Sequence, residues 1–166
     1  MARLIMIGLP GVGKSTVARA LGERWGCEVL DTDDLIAESV AMPAPEYLRE
    51  FGEMHFRERE FDALCRAIES KAVVATGAGI VTRESARELI AAGYAIWLDA
   101  DDTTLLERVA LGERPLLGVD HAESLRRLRA EREAWYRACA RARIDASGSI
   151  DDVLERVVDV AENVRS

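Results

Sequence analysis

Gly8-Leu9-Pro10-Gly11-Val12-Gly13-Lys14-Ser15 is the stretch that decides the fold of this 166-residue chain. It follows the short apolar run Leu4–Ile7 and precedes a stretch in which Val17, Leu21 and Trp25 recur at helical spacing. This is the pattern G-x-x-x-x-G-K-S between a strand and a helix. Its glycines let backbone N–H groups face phosphate oxygens, and the following helix N-terminus favours an anion. The stretch therefore predicts a loop that binds the phosphates of a nucleoside triphosphate.

The side chains at the end of this loop have separate predicted roles. Lys14 can reach the β- and γ-phosphates, and the Ser15 hydroxyl can bind Mg²⁺, the predicted cofactor. The alternative, a glycine-rich turn without a ligand, is disfavoured by the strand before it and the helix after it. The predicted nucleotide-binding residues of the loop are Gly11, Val12, Gly13, Lys14, Ser15 and Thr16.

Short apolar runs alternate with longer amphipathic stretches along the rest of the chain. Strands are predicted at 4–7, 27–30, 72–76, 94–98 and 143–145, with helices between them and after the last. Such alternation predicts an α/β fold with three layers, in which helices flank a five-stranded parallel sheet. Because no internal repeat or linker interrupts the pattern, residues 1–166 are predicted to form a single domain.

Composition and charge exclude several classes of partner. A formal net charge of −8 disfavours nucleic acid and acidic membrane surfaces. The odd count of three cysteines predicts reduced thiols. No apolar run is long enough for a membrane span, and the first strand leads straight into the glycine loop, unlike a signal peptide. We therefore expect a cytoplasmic protein, a monomer by default, whose partners are small molecules.

The residues that end the third and fourth strands indicate the kind of enzyme. A GTPase or motor normally carries an apolar strand that ends in a magnesium-binding aspartate. The third strand here ends in Thr76-Gly77 instead. Asp99 follows an apolar strand, but we interpret it as a cap for the next helix. The pattern favours a P-loop kinase that acts on a small molecule or a nucleotide.

Several further motifs occur in a fixed order along the chain. They are Asp31-Thr32-Asp33, Gly52-Glu53 before Phe56-Arg57-Glu58-Arg59-Glu60, Gly77-Ala78-Gly79, Arg114-Pro115-Leu116-Leu117, and Arg132 four residues before Tyr136. In this order they resemble the shikimate kinase family over nearly the whole chain. Many families share the phosphate loop, whereas the complete series is far more specific.

The resemblance implies phosphorylation of the 3-hydroxyl of shikimate, with ATP as co-substrate. By the family pattern, Asp33 holds and deprotonates the acceptor hydroxyl. Asp31 helps position Mg²⁺ through water, and Ser15 is the other residue of the metal site. Arg114, in a mobile lid at about 110–121, stabilises charge on the transferring phosphoryl group. The implied catalytic residues are therefore Asp33, Lys14 and Arg114.

The family pattern also implies an acceptor site, which includes a helical segment at about 33–60. In it Arg57 and Arg132 grip the substrate carboxylate, and the glycine turn offers backbone N–H groups. Arg108 could stack on adenine, or it could be an exposed arginine at a helix end. The implied substrate-binding residues are Asp33, Arg57, Gly77, Ala78, Gly79 and Arg132.

Residue chemistry alone leaves other roles open for three of these side chains. Asp33 is also a good helix cap. Arg57 and Glu60 are three residues apart, which is typical of a solvated surface pair. Arg132 shares an apolar helical stripe with Leu128, so it needs a partner, either an acceptor carboxylate or an acidic residue of the chain, unless its stem reaches water.

The chain departs from the family pattern on the acceptor side. Ala78 replaces the middle glycine of the family's triplet, and its methyl group disfavours a positive φ. The family often has a glycine near Ala41 and an isoleucine near Ala44-Pro45. Other acceptors therefore stay open: another small hydroxylated acid, a cyclitol or a nucleoside monophosphate. A nucleotide-binding regulatory module without turnover is the alternative from a different class.

Overall fold

The computed structural model describes residues 4–111 and 120–165. Within these ranges, five strands form one parallel sheet in the order β2-β3-β1-β4-β5. The strands are β1 (Leu4–Ile7), β2 (Val29–Asp31), β3 (Val73–Ala75), β4 (Ala95–Asp99) and β5 (Ala142–Asp145). The predicted α/β class and five-stranded parallel sheet are confirmed.

Helices connect and flank the strands. They are α1 (Lys14–Trp25), α2 (Thr32–Val40), α3 (Ala44–Glu69), α4 (Glu84–Ala92), α5 (Asp102–Leu111), α6 (His121–Cys139) and α7 (Ile150–Arg165). A short 3₁₀ turn at Ile80–Thr82, which the sequence did not predict, follows β3. Strand β2 begins two residues later than predicted, because the Cys27 N–H donates to the Gly22 carbonyl at 3.0 Å and so still completes the end of α1.

Strand β1 lies at the centre of the sheet and of the core. Its residues Ile5, Met6 and Ile7 are fully buried, as expected for a parallel strand covered on both faces. Helix α1 packs against α7, while α4 and α5 both pack against α6. The carboxyl ends of β1, β2 and β3 therefore open toward the same edge of the sheet, where ligands bind in open α/β folds.

A kink divides α3 into two helical segments. Gly52 has a φ of 83° and a ψ of 171°, which is not helical. Upstream, α2 ends at Val40 and α3 begins at Ala44, and the segment between them contains Pro43. Since α2 packs directly against α3, the segment after the kink carries Arg57 along the edge of the cleft.

Asp99 does not have the helix-capping role assigned to it, so that interpretation was wrong. The side chain that caps the start of α5 is Asp101, which accepts from the Thr104 N–H at 2.7 Å. Asp99 is 6% exposed and accepts from Arg129 Nη1 at 2.9 Å and from Arg143 Nε at 3.0 Å. A buried carboxylate requires such partners, so Asp99 joins α6 and β5 to the end of β4.

Ala41 is the one described non-glycine residue with a positive φ, at 52°. Because the methyl group is strained there, we expect Ala41→Gly to raise the free energy of unfolding by about 1 kcal/mol. Ala130→Gly, at an exposed site within α6, should lower it by about 1 kcal/mol. Urea denaturation of both variants checks this, and equal losses of stability would show that Ala41 is not strained.

Candidate active site

A cavity of about 460 Å³ opens at the carboxyl ends of β1, β2 and β3. The phosphate loop forms one wall, while α2, α3, the 77–79 turn and α6 form the others. Residues predicted from distant parts of the sequence meet here: Gly11, Gly13, Lys14, Ser15, Thr16, Asp31, Asp33, Arg57, Gly77, Ala78, Gly79 and Arg132. Val12 and Arg108 line an adjoining cavity, and Arg114 lies outside the described residues.

The phosphate loop presents its backbone and one buried cation to this cavity. Helix α1 begins at Lys14, directly after Gly13, and no described side chain caps it. Its first N–H groups are therefore available for an anion. Lys14 is 6% exposed, and its Nζ donates to the Gly8 carbonyl at 2.8 Å and to the Leu9 carbonyl at 3.0 Å. The Lys14 ammonium group is thus held within the phosphate loop.

Asp31 connects the phosphate loop to the acceptor side. Its Oδ2 accepts from the Ser15 hydroxyl at 2.5 Å, and its Oδ1 accepts from the Asp33 N–H at 2.9 Å. The cap of α2 is therefore Asp31, so the capping role considered for Asp33 was wrong. The Asp33 carboxylate lines the cavity and lies 3.4 Å from the position that a Cβ atom on Gly77 would occupy.

Thr32 is a functional residue that sequence reasoning missed. It is fully buried, and its Oγ1 accepts from the Gly77 N–H at 2.9 Å. The hydroxyl thereby ties α2 to the 77–79 turn. The only signal in the sequence was its position between Asp31 and Asp33. Because those two carboxylates point toward the cavity, the residue between them points the other way, toward the turn.

Gly77 and Gly79 are glycines because charged side chains pack directly on them. A Cβ atom on Gly77 would lie 2.2 Å from Glu60 Oε1, and one on Gly79 would lie 2.2 Å from the Arg57 guanidinium. Ala78, between them, is not among the residues with a positive φ. The turn therefore tolerates the Ala78 methyl group without a strained backbone. A side chain at either position would displace the end of Glu60 or Arg57 from its present place.

Tyr136, on helix α6, also contacts the 77–79 turn. Its hydroxyl donates to the Ala78 carbonyl at 2.5 Å, and its ring stacks on Trp97 with centroids 6.1 Å apart. Burial raises the pKa of the Tyr136 phenol well above its ordinary value, so the hydroxyl keeps the proton that it donates. Helix α6 is thereby attached to the acceptor turn.

Arg57 and Glu60 form a buried ion pair rather than the solvated surface pair that was considered. Arg57 Nη1 donates to Glu60 Oε2 at 2.7 Å, and the Glu60 side chain is 1% exposed. Burial raises the pKa of the Glu60 carboxyl, and the nearby Arg57 opposes that shift. Glu60 Oε1 and Arg57 Nε have no hydrogen-bond partner among the described residues. Both atoms lie in groups that line the cavity.

Arg132 is 7% exposed on the α6 wall of the cavity. Its Nε donates at 3.4 Å to Glu131, a long contact with a half-exposed carboxylate. A guanidinium carries five N–H donors in a planar fork, so donors remain for an anion in the cavity. Arg57 and Arg132 oppose the rise in the pKa of the Glu60 carboxyl, whereas Asp33 adds to it, and all four residues line the cavity.

The adjoining cavity of about 430 Å³ lies beyond the phosphate loop. Arg108 donates from Nη1 to the Val12 carbonyl at 3.1 Å and from Nη2 to the Ala146 carbonyl at 2.7 Å. It therefore joins the phosphate loop to the loop after β5. The alternative of an isolated arginine exposed at a helix end is wrong, while the stacking of Arg108 on adenine stays a prediction.

Two further results concern the described residues as a whole. No helix among residues 4–111 and 120–165 has the length and apolarity needed to cross a membrane. The same ranges contain no group of three or more histidine, cysteine or acidic side chains that could hold a metal by themselves.

The fold and the site define the class of this protein. A phosphate loop with an uncapped helix faces a second wall that carries a carboxylate, the half-buried guanidinium of Arg57 and the buried one of Arg132, which is the arrangement of a P-loop kinase for a small anionic acceptor. The family model for shikimate kinase matches residues 10–162. A shikimate kinase from Symbiobacterium thermophilum is 37% identical over 163 residues, covering 94% of each chain. The chain belongs to the shikimate kinase family.

Solved structures of the same family superpose closely on this chain. A shikimate kinase from Acinetobacter baumannii, in complex with shikimate, has a TM-score of 0.89 and 32% identity, covering 96% of this chain and 93% of that one. A shikimate kinase from Aquifex aeolicus has a TM-score of 0.82 and 25% identity, covering 99% and 98%. The sequence prediction of a P-loop kinase fold is confirmed.

The hydrogen bond between Thr32 and Gly77 provides a test of how the site is held. Thr32→Val removes the hydroxyl and leaves the Gly77 N–H without its partner, so we expect the free energy of unfolding to fall by about 1–3 kcal/mol. Thr32→Ser keeps the hydroxyl and should lose clearly less. Chemical denaturation measures both, and a valine variant as stable as the serine variant would contradict this role.

Proposed function

We propose that this chain transfers the γ-phosphoryl group of ATP to the 3-hydroxyl of shikimate. The observation that carries the proposal is that Lys14 and Ser15 share one cavity with Asp33, Arg57 and Arg132. A donor site for phosphate and an acceptor site for a hydroxylated carboxylate therefore adjoin. Membership in the shikimate kinase family, and the shikimate bound to the related Acinetobacter baumannii enzyme, support this acceptor.

The acceptor carboxylate would bind between Arg57 and Arg132. Both guanidinium groups line the cavity around Glu60, and a planar fork matches a carboxylate with two parallel hydrogen bonds. Glu60 restrains Arg57 through the bond at 2.7 Å, so the side chain is oriented before the substrate arrives. Backbone N–H groups of the 77–79 turn would complete the acceptor site.

The chemistry requires positioning and charge stabilisation more than strong bases. Asp33 would hold the acceptor hydroxyl and take its proton as the oxygen attacks the γ-phosphorus. Lys14 and the N-terminus of α1 would stabilise the negative charge of the phosphoryl group as its bond to the β-phosphate breaks. Arg114, which lies outside the described residues, is proposed to add a further positive charge from the segment at 110–121.

Ser15 and Asp31 would hold Mg²⁺ at the phosphate loop. Their oxygens lie 2.5 Å apart and are hard ligands of the kind that Mg²⁺ prefers. Mg²⁺ commonly uses one or two protein oxygens and completes its shell with phosphates and water, which fits this pair. When bound, the ion neutralises charge on the β- and γ-phosphates.

We also propose a cytoplasmic monomer with one domain. The free thiols of Cys27, Cys65 and Cys139 support the cytoplasmic location.

An ATP-consumption assay tests the function directly. The purified chain with Mg²⁺ is given shikimate, gluconate, a cyclitol or a nucleoside monophosphate. We expect turnover with shikimate and little with the others. Turnover with another acceptor but not with shikimate would keep the kinase and remove the named substrate. Binding of magnesium–ATP without turnover of any acceptor would favour a regulatory module.

The Asp33→Asn substitution tests the catalytic carboxylate. Removal of the group that takes the hydroxyl proton should lower kcat by about 100- to 10,000-fold, while ATP binding changes little. Asp34→Asn is the matched control, because Asp34 is exposed on the same helix and does not line the active-site cavity. Steady-state kinetics and ATP titration measure the two effects. Equal kcat values for the two variants would exclude the catalytic role of Asp33.

The Arg132→Ala substitution tests the carboxylate grip. Loss of charge-assisted hydrogen bonds should raise the KM for shikimate by about 10- to 100-fold and leave the KM for ATP nearly unchanged. Arg137→Ala is the control, because Arg137 lies on the same helix with a 65% exposed side chain and pairs with Glu133. Equal losses for shikimate and ATP in Arg132→Ala would show that the residue does not act on the acceptor.

A further inference from the structure

Arg127, on α6, is a cation of the active-site cavity to which the sequence motifs assign no role. It lines the cavity together with Lys14, Ser15 and Arg132. Its neighbours Leu128 and Glu131 line the cavity as well. Residues one, four and five positions apart lie on one side of a helix, so this face of α6 is turned toward the cavity. Arg126 and Arg127 are both exposed, but only Arg127 lines the cavity.

Arg127 differs in its contacts from Arg129 and Arg137, which lie on the same helix. Arg129 binds Asp99 and Asp102, while Arg137 binds Glu133. Within the parts of the chain that the structure describes, Arg127 makes no hydrogen bond or ion pair of this kind. Its guanidinium is therefore not committed to holding the helix in place, and its five donors can serve a ligand.

The charge of the cavity wall explains why a further cation is needed. Its carboxylates are Asp31, Asp33, Glu53, Glu60 and Glu131, and its cations are Lys14, Arg57, Arg127 and Arg132. A triphosphate and an acceptor carboxylate are both anionic. They would bind in a cavity whose wall already carries more acidic than basic side chains. Arg57 and Arg132 lie around Glu60 on the acceptor side. Lys14 is the one cation of the phosphate loop itself.

We propose that Arg127 binds the phosphoryl group that is transferred, donating from α6 to the γ-phosphate oxygens of ATP. The acceptor carboxylate has two guanidinium groups available without it, whereas the phosphate has only Lys14 among the described cations of this wall. A planar fork of N–H groups suits phosphate oxygens as well as a carboxylate. This inference rests on the proposed phosphotransfer but not on the identity of the acceptor.

Calorimetric titration of the full chain with Mg²⁺ tests the role of Arg127. The probes are a non-hydrolysable ATP analogue, AMP-PNP, and ADP, which lacks the γ-phosphate. In Arg127→Ala we expect affinity for AMP-PNP to fall by about 10-fold or more, and affinity for ADP to change by less than about 2-fold. Arg126→Ala should change neither. Arg127→Lys should give an intermediate loss, because it keeps the charge and lacks the fork.

Two results would overturn the assignment. The first is an equal change, or no change, in the affinities for AMP-PNP and ADP. The second is a loss of shikimate affinity as large as the loss of AMP-PNP affinity, which would place Arg127 on the acceptor carboxylate. Thermal melting of both alanine variants verifies that they fold. If the unmodified chain does not turn over shikimate but the AMP-PNP result holds, the acceptor is wrong and the role of Arg127 stands.

Discussion

The two hydrogen bonds of Asp31 are the interaction on which the cleft depends. One carboxylate oxygen receives the Ser15 hydroxyl, and the other receives the Asp33 N–H. The end of β2, the start of α2 and the phosphate loop are thereby joined through a single side chain. Thr32 extends the connection to the 77–79 turn through Gly77. Hydrogen bonds between neighbouring strand ends, rather than a single helix or strand, therefore fix the position of the phosphate loop relative to α2 and the 77–79 turn.

The acceptor wall contains buried charge that packing alone would not favour. Removing Glu60 and Arg57 from water is costly, and an ion pair only partly offsets that cost. The ion pair of Arg57 and Glu60 packs against Gly79 and Gly77, in the space that side chains at these two positions would occupy. Contact with the backbone therefore helps to set its geometry. Such an arrangement orients Arg57 before any ligand binds, which is an advantage for a site that must hold a carboxylate in one position.

Helix α6 contacts the sheet through some of its side chains and lines the cleft with others. Arg129 holds the helix to the end of β4 through Asp99, and Tyr136 holds it to the acceptor turn. Arg132, between these attachments, and Arg127, just before Arg129, line the cavity. A helix attached at two points can present charged groups at a defined distance from the phosphate loop.

The sequence by itself determined the phosphate loop and the order of strands and helices, because these depend on local spacing and periodicity, and its resemblance to the shikimate kinase family implied the acceptor residues. Lys14, Asp33 and Arg132 were identified from such patterns and line one cavity. Only the tertiary structure decided that Asp31, not Asp33, caps α2, that Asp99 binds two arginines, and that Thr32 supports the turn. It also showed that Ala78 fits without a positive φ. The contacts of Asp99 and Thr32 join residues far apart in the chain, and at the start of α2 local patterns do not tell which of several neighbouring aspartates will act as the cap.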